Sequence, residues 1–366
     1  MTATLVTETA RPRQNWAPLR QIGSFPPVYF SMVMATGIVS IAAHLAGIPI
    51  VGSLLMWLNV TLYCVFWALL IGRITLDSRS LLRNLTDFRV APGYFTVVAG
   101  TSVLARQLLI IDAQSRIATA MLWVAFPLWA ALIYVIFAAF TVTETKPTLA
   151  EGIHGGWLLS VVATQAVAVL IILLARQWQN YQQLMIFVGL VLWLCGGMLY
   201  IWIISLIFYR YTFFKFVPSD LMPPYWINMG AMAISTLAGA TLIQSATLAP
   251  FLQEMLPFVK GFTMFFWATA TWWIPMLLIL GFWRHVYKKF ALRYDPLYWG
   301  AVFPLGMYSV STHQLLNALQ ISFLNWLPRV FAYVSLAAWI LTFVGFLTQL
   351  PTLFRSRSDA VRERLA

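Results

Sequence analysis

Ten stretches of about 20 predominantly apolar residues follow one another along this chain, near 26–47, 50–72, 91–111, 117–140, 156–175, 184–208, 225–248, 260–283, 297–319 and 327–350. Each is long enough to cross a bilayer and far too long for a core element of a soluble domain. Only 9% of the residues are charged and 61% are hydrophobic, so little polar surface is left over for a soluble fold. The chain reads as a polytopic membrane protein with residues 25–350 as one transmembrane domain. Residues 1–24 contain no apolar segment, so no cleaved signal is expected and they read as a tail, as does the basic stretch 351–366. Cys64 and Cys195 both fall inside apolar runs and read as small packing residues, without a disulfide or a metal pair.

Long basic loops alternate with short, nearly uncharged ones. Eighteen of the 23 lysines and arginines fall on one side, leaving Arg106, Arg116, Arg176, Lys260 and Arg329 on the other. By the positive-inside rule both termini are expected in the cytoplasm, with the chain multi-pass in the inner (plasma) membrane. Topology therefore explains most of the net charge of +12, and no nucleic-acid partner is expected.

The odd-numbered runs open alike, with an aromatic residue just after proline or glycine: FPPVYF at Phe25, APGYF at Ala91, GIHGGW at Gly152, MPPYW at Met222 and DPLYW at Asp295. Aligning Phe30, Phe95, Trp157, Trp226 and Trp299 gives spacings of 65, 62, 69 and 73 residues. Each unit crosses twice, so every copy begins on the same side and the copies are related about the membrane normal rather than by inversion. The expected fold is all-α: ten transmembrane helices as five helical hairpins in a quasi-fivefold ring around a central pore.

Eleven of the 17 tryptophans lie in the even runs, where large rings can face lipid. The middles of the odd runs are rich in Gly, Ala, Ser and Thr, which suits close helix approach or a polar path. Thr36, Thr101 and Thr164 are candidates for lining such a path, or hydroxyls that serve helix packing. Every Asp and Glu sits in a tail, a loop or a span end. Cation pores and proton relays use mid-membrane carboxylates, so a small anion suits this chain better. Arg106, near the outer end of the third run, reads as an anion-attracting charge or a snorkelling anchor. His44 and His313 each lie 14 residues after their repeat's opening aromatic, about 21 Å along the axis, and are candidates for the outer mouth or interfacial residues. Pro304 lacks an N–H and crowds the carbonyl of Gly300, which predicts a bend in the ninth helix. There is no HExxH, no histidine cluster at ligand spacing and no nucleophile with its base, so no enzyme activity, catalytic residue, cofactor or metal is expected.

Three stretches carry a resemblance: FPPVYFSMVMATGIVS (Phe25 to Ser40), FFWATATWWIPMLLIL (Phe265 to Leu280) and YWGAVFPLGMYSVST (Tyr298 to Thr312). They closely resemble the tellurite-resistance/dicarboxylate transporter family, which includes malate and sulfite transporters and plant slow anion channels. The resemblance covers nearly all of residues 25–350. It implies the same five-hairpin fold, a homotrimer with one pore per subunit, and a gate formed by Phe303. It also implies that glycines and prolines shape the pore, a part that Gly37, Gly100, Gly230, Pro304 and Gly306 are placed to fill. The fifth run, LLSVVATQAVAVL, departs from that pattern because it has neither. The first and ninth motifs look closest to the malate-type branch, so C4-dicarboxylates are the leading expected cargo. Sulfite, chloride, nitrate and tellurite-related oxyanions are the alternatives.

Overall fold

The computed structural model describes residues 25–362; the expected N-terminal tail, 1–24, and residues 363–366 lie outside it. The ten long helices are α1 Phe30–Leu45, α2 Pro49–Leu76, α3 Phe95–Ile111, α4 Ser115–Val142, α5 Leu159–Leu174, α6 Gln182–Phe213, α7 Ile227–Gln244, α8 Leu256–Phe282, α9 Trp299–Leu319 and α10 Trp326–Arg362. The protein is an all-α polytopic membrane protein. Helix α10 runs on to Arg362, so the first part of the expected C-terminal tail continues the last span.

The repeat read from the sequence has a structural counterpart. Each odd helix is preceded by a 3-10 turn, at Pro27–Tyr29, Ala91–Tyr94, Gly155–Leu158, Pro223–Trp226 and Pro296–Tyr298. Proline opens four of these turns within their first two positions, where its fixed φ is favourable and its missing N–H costs nothing. In the other, His154 takes over as cap, its Nδ1 accepting from the Gly156 N–H at 3.1 Å. Asp295 does the same for the last turn, accepting from the Leu297 N–H at 2.8 Å.

Odd and even helices differ in length and burial. The first four odd helices have only 16–18 residues, against 27 or more in every even helix. A 16-residue helix rises only about 24 Å, less than the hydrocarbon thickness, and such an element is tolerated where other helices shield it from lipid. That shielding is present: the apolar stretch from Gly155 to Gln177 is 94% buried, and that from Ser115 to Val142 only 22%. Among the described residues nine helices are long and apolar enough to cross a membrane. Helix α9 is the expected span that falls short of that measure, because its second half carries Ser309, Ser311, Thr312, His313, Gln314 and Asn317. Ser309, Ser311 and Thr312 are buried among neighbouring helices, so this half need not be lipid-compatible.

Helix α1 packs on α3, α3 on α5, α5 on α7, α7 on α9, and α9 back on α1. Each even helix packs mainly on its own odd partner and more lightly on the odd helix that follows, α10 reaching back to α1.

Candidate functional site

All five 3-10 turns, or the residues beside them, border one cavity of about 510 Å³ on the side where the odd helices begin. Pro27, Val90, His154, Pro224 and Leu297 mark the five contributions. Arg89, Arg210, Glu151 and Asp220 bring charge to its wall. Burial, and after it the positive Arg210, hold the His154 imidazole down to about 4, so it is neutral at pH 7 with Nδ1 free to accept.

Several arginines of this face do more than set topology. Arg73, at the end of α2, donates to the Phe25 carbonyl at 2.7 Å. Arg210, near the end of α6, donates to the Ile153 carbonyl at 3.0 Å and to the Tyr225 hydroxyl, with Asp220 at 3.8 Å. Arg284, just past α8, donates to the Leu221 carbonyl. In three hairpins, then, an arginine closing the even helix ties down the chain just ahead of its own odd helix. Reasoning from the sequence missed this because the hairpins differ in length and the arginines keep no fixed spacing from the opening aromatics.

Deeper along the odd helices, Phe303 is 1% exposed. It borders a cavity of about 20 Å³ shared with Ser31 and Met34 of α1, Thr96 ahead of mid-α3, Leu159 of α5, Ile227 of α7 and Gly300 of α9. One turn further along α9, Met307 borders a second cavity of about 10 Å³ with Ser102 and Arg106 of α3, Ala166 of α5 and Ile234 of α7. Neither holds much more than a single water. Towards the other end of α9 a separate cavity of about 210 Å³ lies between α1, α9 and α10, bordered by Ala42, Leu45, Ser309, His313, Asn317 and Arg329.

The residues singled out from the sequence fall into three groups. The glycines lie where helices touch. A Cβ on Gly230 would sit 2.7 Å from Pro304 Cγ, joining α7 to α9. One on Gly306 would meet Ile38 of α1 at 2.9 Å, one on Gly100 the Phe30 carbonyl at 3.3 Å, and one on Gly37 both Asn59 of α2 and Val103 of α3 at 2.8 Å. Pro304 lies inside α9, which continues through it as one helix.

The threonine hydroxyls bond to the outer helices. Thr36 accepts from Trp339 Nε1 of α10 at 3.0 Å, Thr164 accepts from Trp129 Nε1 of α4 at 2.8 Å, and Thr101 shares a 3.0 Å bond with the Tyr63 hydroxyl of α2. Thr312 accepts from Trp267 Nε1 of α8 at 3.0 Å, and the Ser235 carbonyl of α7 accepts from Trp193 Nε1 of α6 at 2.9 Å. Every odd helix is thus bonded to the even helix of the preceding hairpin, and the Trp339 bond links the last hairpin to the first. The expectation that even-helix tryptophans meet lipid is accordingly corrected. Trp57, Trp123, Trp202 and Trp272 are exposed, whereas Trp193, Trp273 and Trp339 are buried, their indole N–H groups donating to the Ser235 carbonyl and to the Tyr200 and Thr36 hydroxyls.

The third group was expected at the outer mouth. His313 borders the 210 Å³ cavity, with Nε2 3.1 Å from Asn317 Nδ2. His44 sits against Gly52 of its own hairpin. Arg106 is 4% exposed and borders the 10 Å³ cavity between the inner helices.

The family model described as voltage-dependent anion channel matches residues 24–347. The chain belongs to this voltage-dependent anion channel family. It is 39% identical over 152 residues to an uncharacterized membrane protein of Mycobacterium tuberculosis, covering 42% of this chain and 77% of that protein. An uncharacterized transporter of Methanocaldococcus jannaschii is 24% identical over 332 residues, 88% of this chain and 94% of the transporter. The sulfite efflux pump of Arthroderma benhamiae is 24% identical over 358 residues, covering 92% of each chain. The membrane fold and its anion-channel membership thus come from independent observations.

Proposed function

We propose that this protein carries small anions across the plasma membrane along the axis of its five odd helices, and that the Phe303 ring closes that path. The observation that carries the proposal is the position of Phe303: a buried ring that shares a 20 Å³ cavity with residues of all five hairpins, deeper along the odd helices than the 510 Å³ cavity that the five opening turns border. A narrow apolar constriction stops ions by excluding water. The five odd helices form the pore wall and the even helices its lipid-facing jacket. The glycines and Pro304 set how closely the wall helices approach, and His313 stands at the outer opening. The spans carry no mid-membrane carboxylate, and the acids near the path, Glu151 and Asp220, stay at its wide end.

Sulfite is the leading cargo, since sulfite efflux pumps align with 92% of the chain. Malate, favoured by the motifs of α1 and α9, is the second. Purified protein in liposomes, tested for uptake of sulfite, malate and chloride with and without a pH gradient, separates these cargoes and distinguishes passive from proton-coupled movement. Absence of flux for all three ends the transport reading. Both termini lie in the cytoplasm, and the protein assembles as a homotrimer. Cysteines placed near Arg79, Lys146 and Lys288 resist an impermeant external thiol reagent if so, and strong labelling in intact cells overturns that orientation. The mass of the detergent-solubilised assembly tests the trimer.

A further inference from the structure

Arg106 is a charged feature of the inner helices that packing does not explain. It is 4% exposed, and its Nε and Nη1 have no hydrogen-bond partner among the described residues. The ion pair found among those residues, Arg210 with Asp220, is elsewhere. Its immediate wall is apolar, made by Val103, Ala166, Val169, Ile234, Leu237 and Met307. The hydroxyl that shares this wall, Ser102, already donates to the Val98 carbonyl at 3.0 Å. A guanidinium taken out of water with neither counter-ion nor acceptors is strongly unfavourable, so a residue of this kind is retained where something else supplies the negative charge.

We propose that Arg106 is the anion-binding residue of the transport path in its open form: the 10 Å³ space beside it in this closed arrangement admits no more than a water, and once the inner helices part its guanidinium holds a small oxyanion or carboxylate by two parallel N–H···O bonds. The inference rests on the anion-transport reading above and deepens it. Met307 places the site one helical turn beyond Phe303 on α9, about 6 Å along the axis, away from the 510 Å³ cavity. The planar guanidinium fork matches two oxygens of one ligand, which chloride cannot offer, and the apolar wall strengthens the attraction by excluding water. Selectivity would thus come from one cation in a carboxylate-free wall.

The test uses the full-length protein with sodium sulfite and sodium chloride as probes, measured by calorimetry in detergent and by flux in liposomes. Arg106→Met keeps the length and removes the charge. Sulfite affinity is expected to fall by about tenfold or more, while the melting temperature without ligand holds or rises because an uncompensated charge has gone. Unchanged sulfite affinity in this variant overturns the proposal. A structural arginine with a hidden partner predicts the reverse pattern, a lower melting temperature with affinity intact. If Arg106→Met does not assemble, Arg106→Lys decides. It keeps the charge and loses the fork, so sulfite affinity drops more than chloride affinity, and equal effects on both anions reject the bidentate site. Wild-type protein that moves no anion defeats the transport reading itself. Normal flux and binding in both variants defeat only the assignment of Arg106.

Discussion

Helices α7 and α8 form one hairpin, yet the apolar stretch of α7 is 94% buried and that of α8 only 22%. Hydrophobicity does not explain the difference, because lipid tails are as apolar as a protein interior. Side-chain size and hydrogen bonding do. Helix α7 offers Gly230 to Pro304 and Gly239 to Thr263, contacts that bring backbones close, whereas Gly261 and Gly281 of α8 meet nothing within 4 Å. Helix α8 in turn carries the large rings, some turned to lipid and some, like Trp267, bonded inward. The inner layer is ordered by contact and the outer layer by what it can reach.

The sharpest way to break this comparison is at Phe303. As a plug, Phe303→Ala raises anion flux per folded protein on the order of tenfold or more, while the same change at lipid-exposed Phe265 of α8 leaves flux alone. As plain packing, Phe303→Ala leaves a cavity, costs about 3–5 kcal/mol and lowers the yield of folded protein without raising flux. Conductance normalised to folded protein distinguishes the two, and equal values for both variants sink the gate.

Glycine substitutions come next. Gly230→Ala drives a methyl into Pro304 and is expected to cost about 1–3 kcal/mol, read as a lower melting temperature. Gly261→Ala, in open space on α8, is expected to gain up to about 1 kcal/mol from helix propensity. Equal effects at the two sites would mean that the inner helices are not closely apposed.

A smaller effect is expected from the bonds between layers. Trp339→Phe removes the donor to Thr36 and should cost about 0.6 kcal/mol, against almost nothing for Trp123→Phe on the lipid face. A double substitution with Thr36→Val measures the coupling directly, and zero coupling removes the Trp339 bond as the tie between the last hairpin and the first.

The last effect is confined to acid. The pKa of His154 is held to about 4, below its ordinary 6.5, so the folded protein binds fewer protons there than the unfolded chain. The corresponding stability is present above pH 6.5 and is lost as the pH falls from 6.5 towards 4. His154→Asn keeps a cap acceptor for Gly156 and removes the titration, so its melting temperature should fall less between pH 7 and pH 5. Parallel curves for the two proteins would refute this.

The sequence by itself determined the membrane class, the positions of the spans and the five-fold repetition of hairpins. Apolar length, loop charge and the opening Pro-aromatic turns are local properties that need no knowledge of neighbours. The resemblance marked Gly230, Pro304 and Gly306 as residues that shape a pore, and only the structure sets Gly230 against Pro304 and Gly306 against Ile38. What the sequence left open was which partner each polar group would find. Thr36 and Thr101 read equally well as path-lining or packing hydroxyls until α10 and α2 placed Trp339 and Tyr63 against them. Arg106 read as an outer-mouth charge from its place along α3, yet α5, α7 and α9 enclose it. Arg73, Arg210 and Arg284 read as topology signals, yet each also bonds a carbonyl ahead of its hairpin's first helix. Those outcomes belong to the tertiary structure, because the rotation of each helix about its own axis is set by contacts between segments up to 303 residues apart, and no periodicity within one helix encodes it.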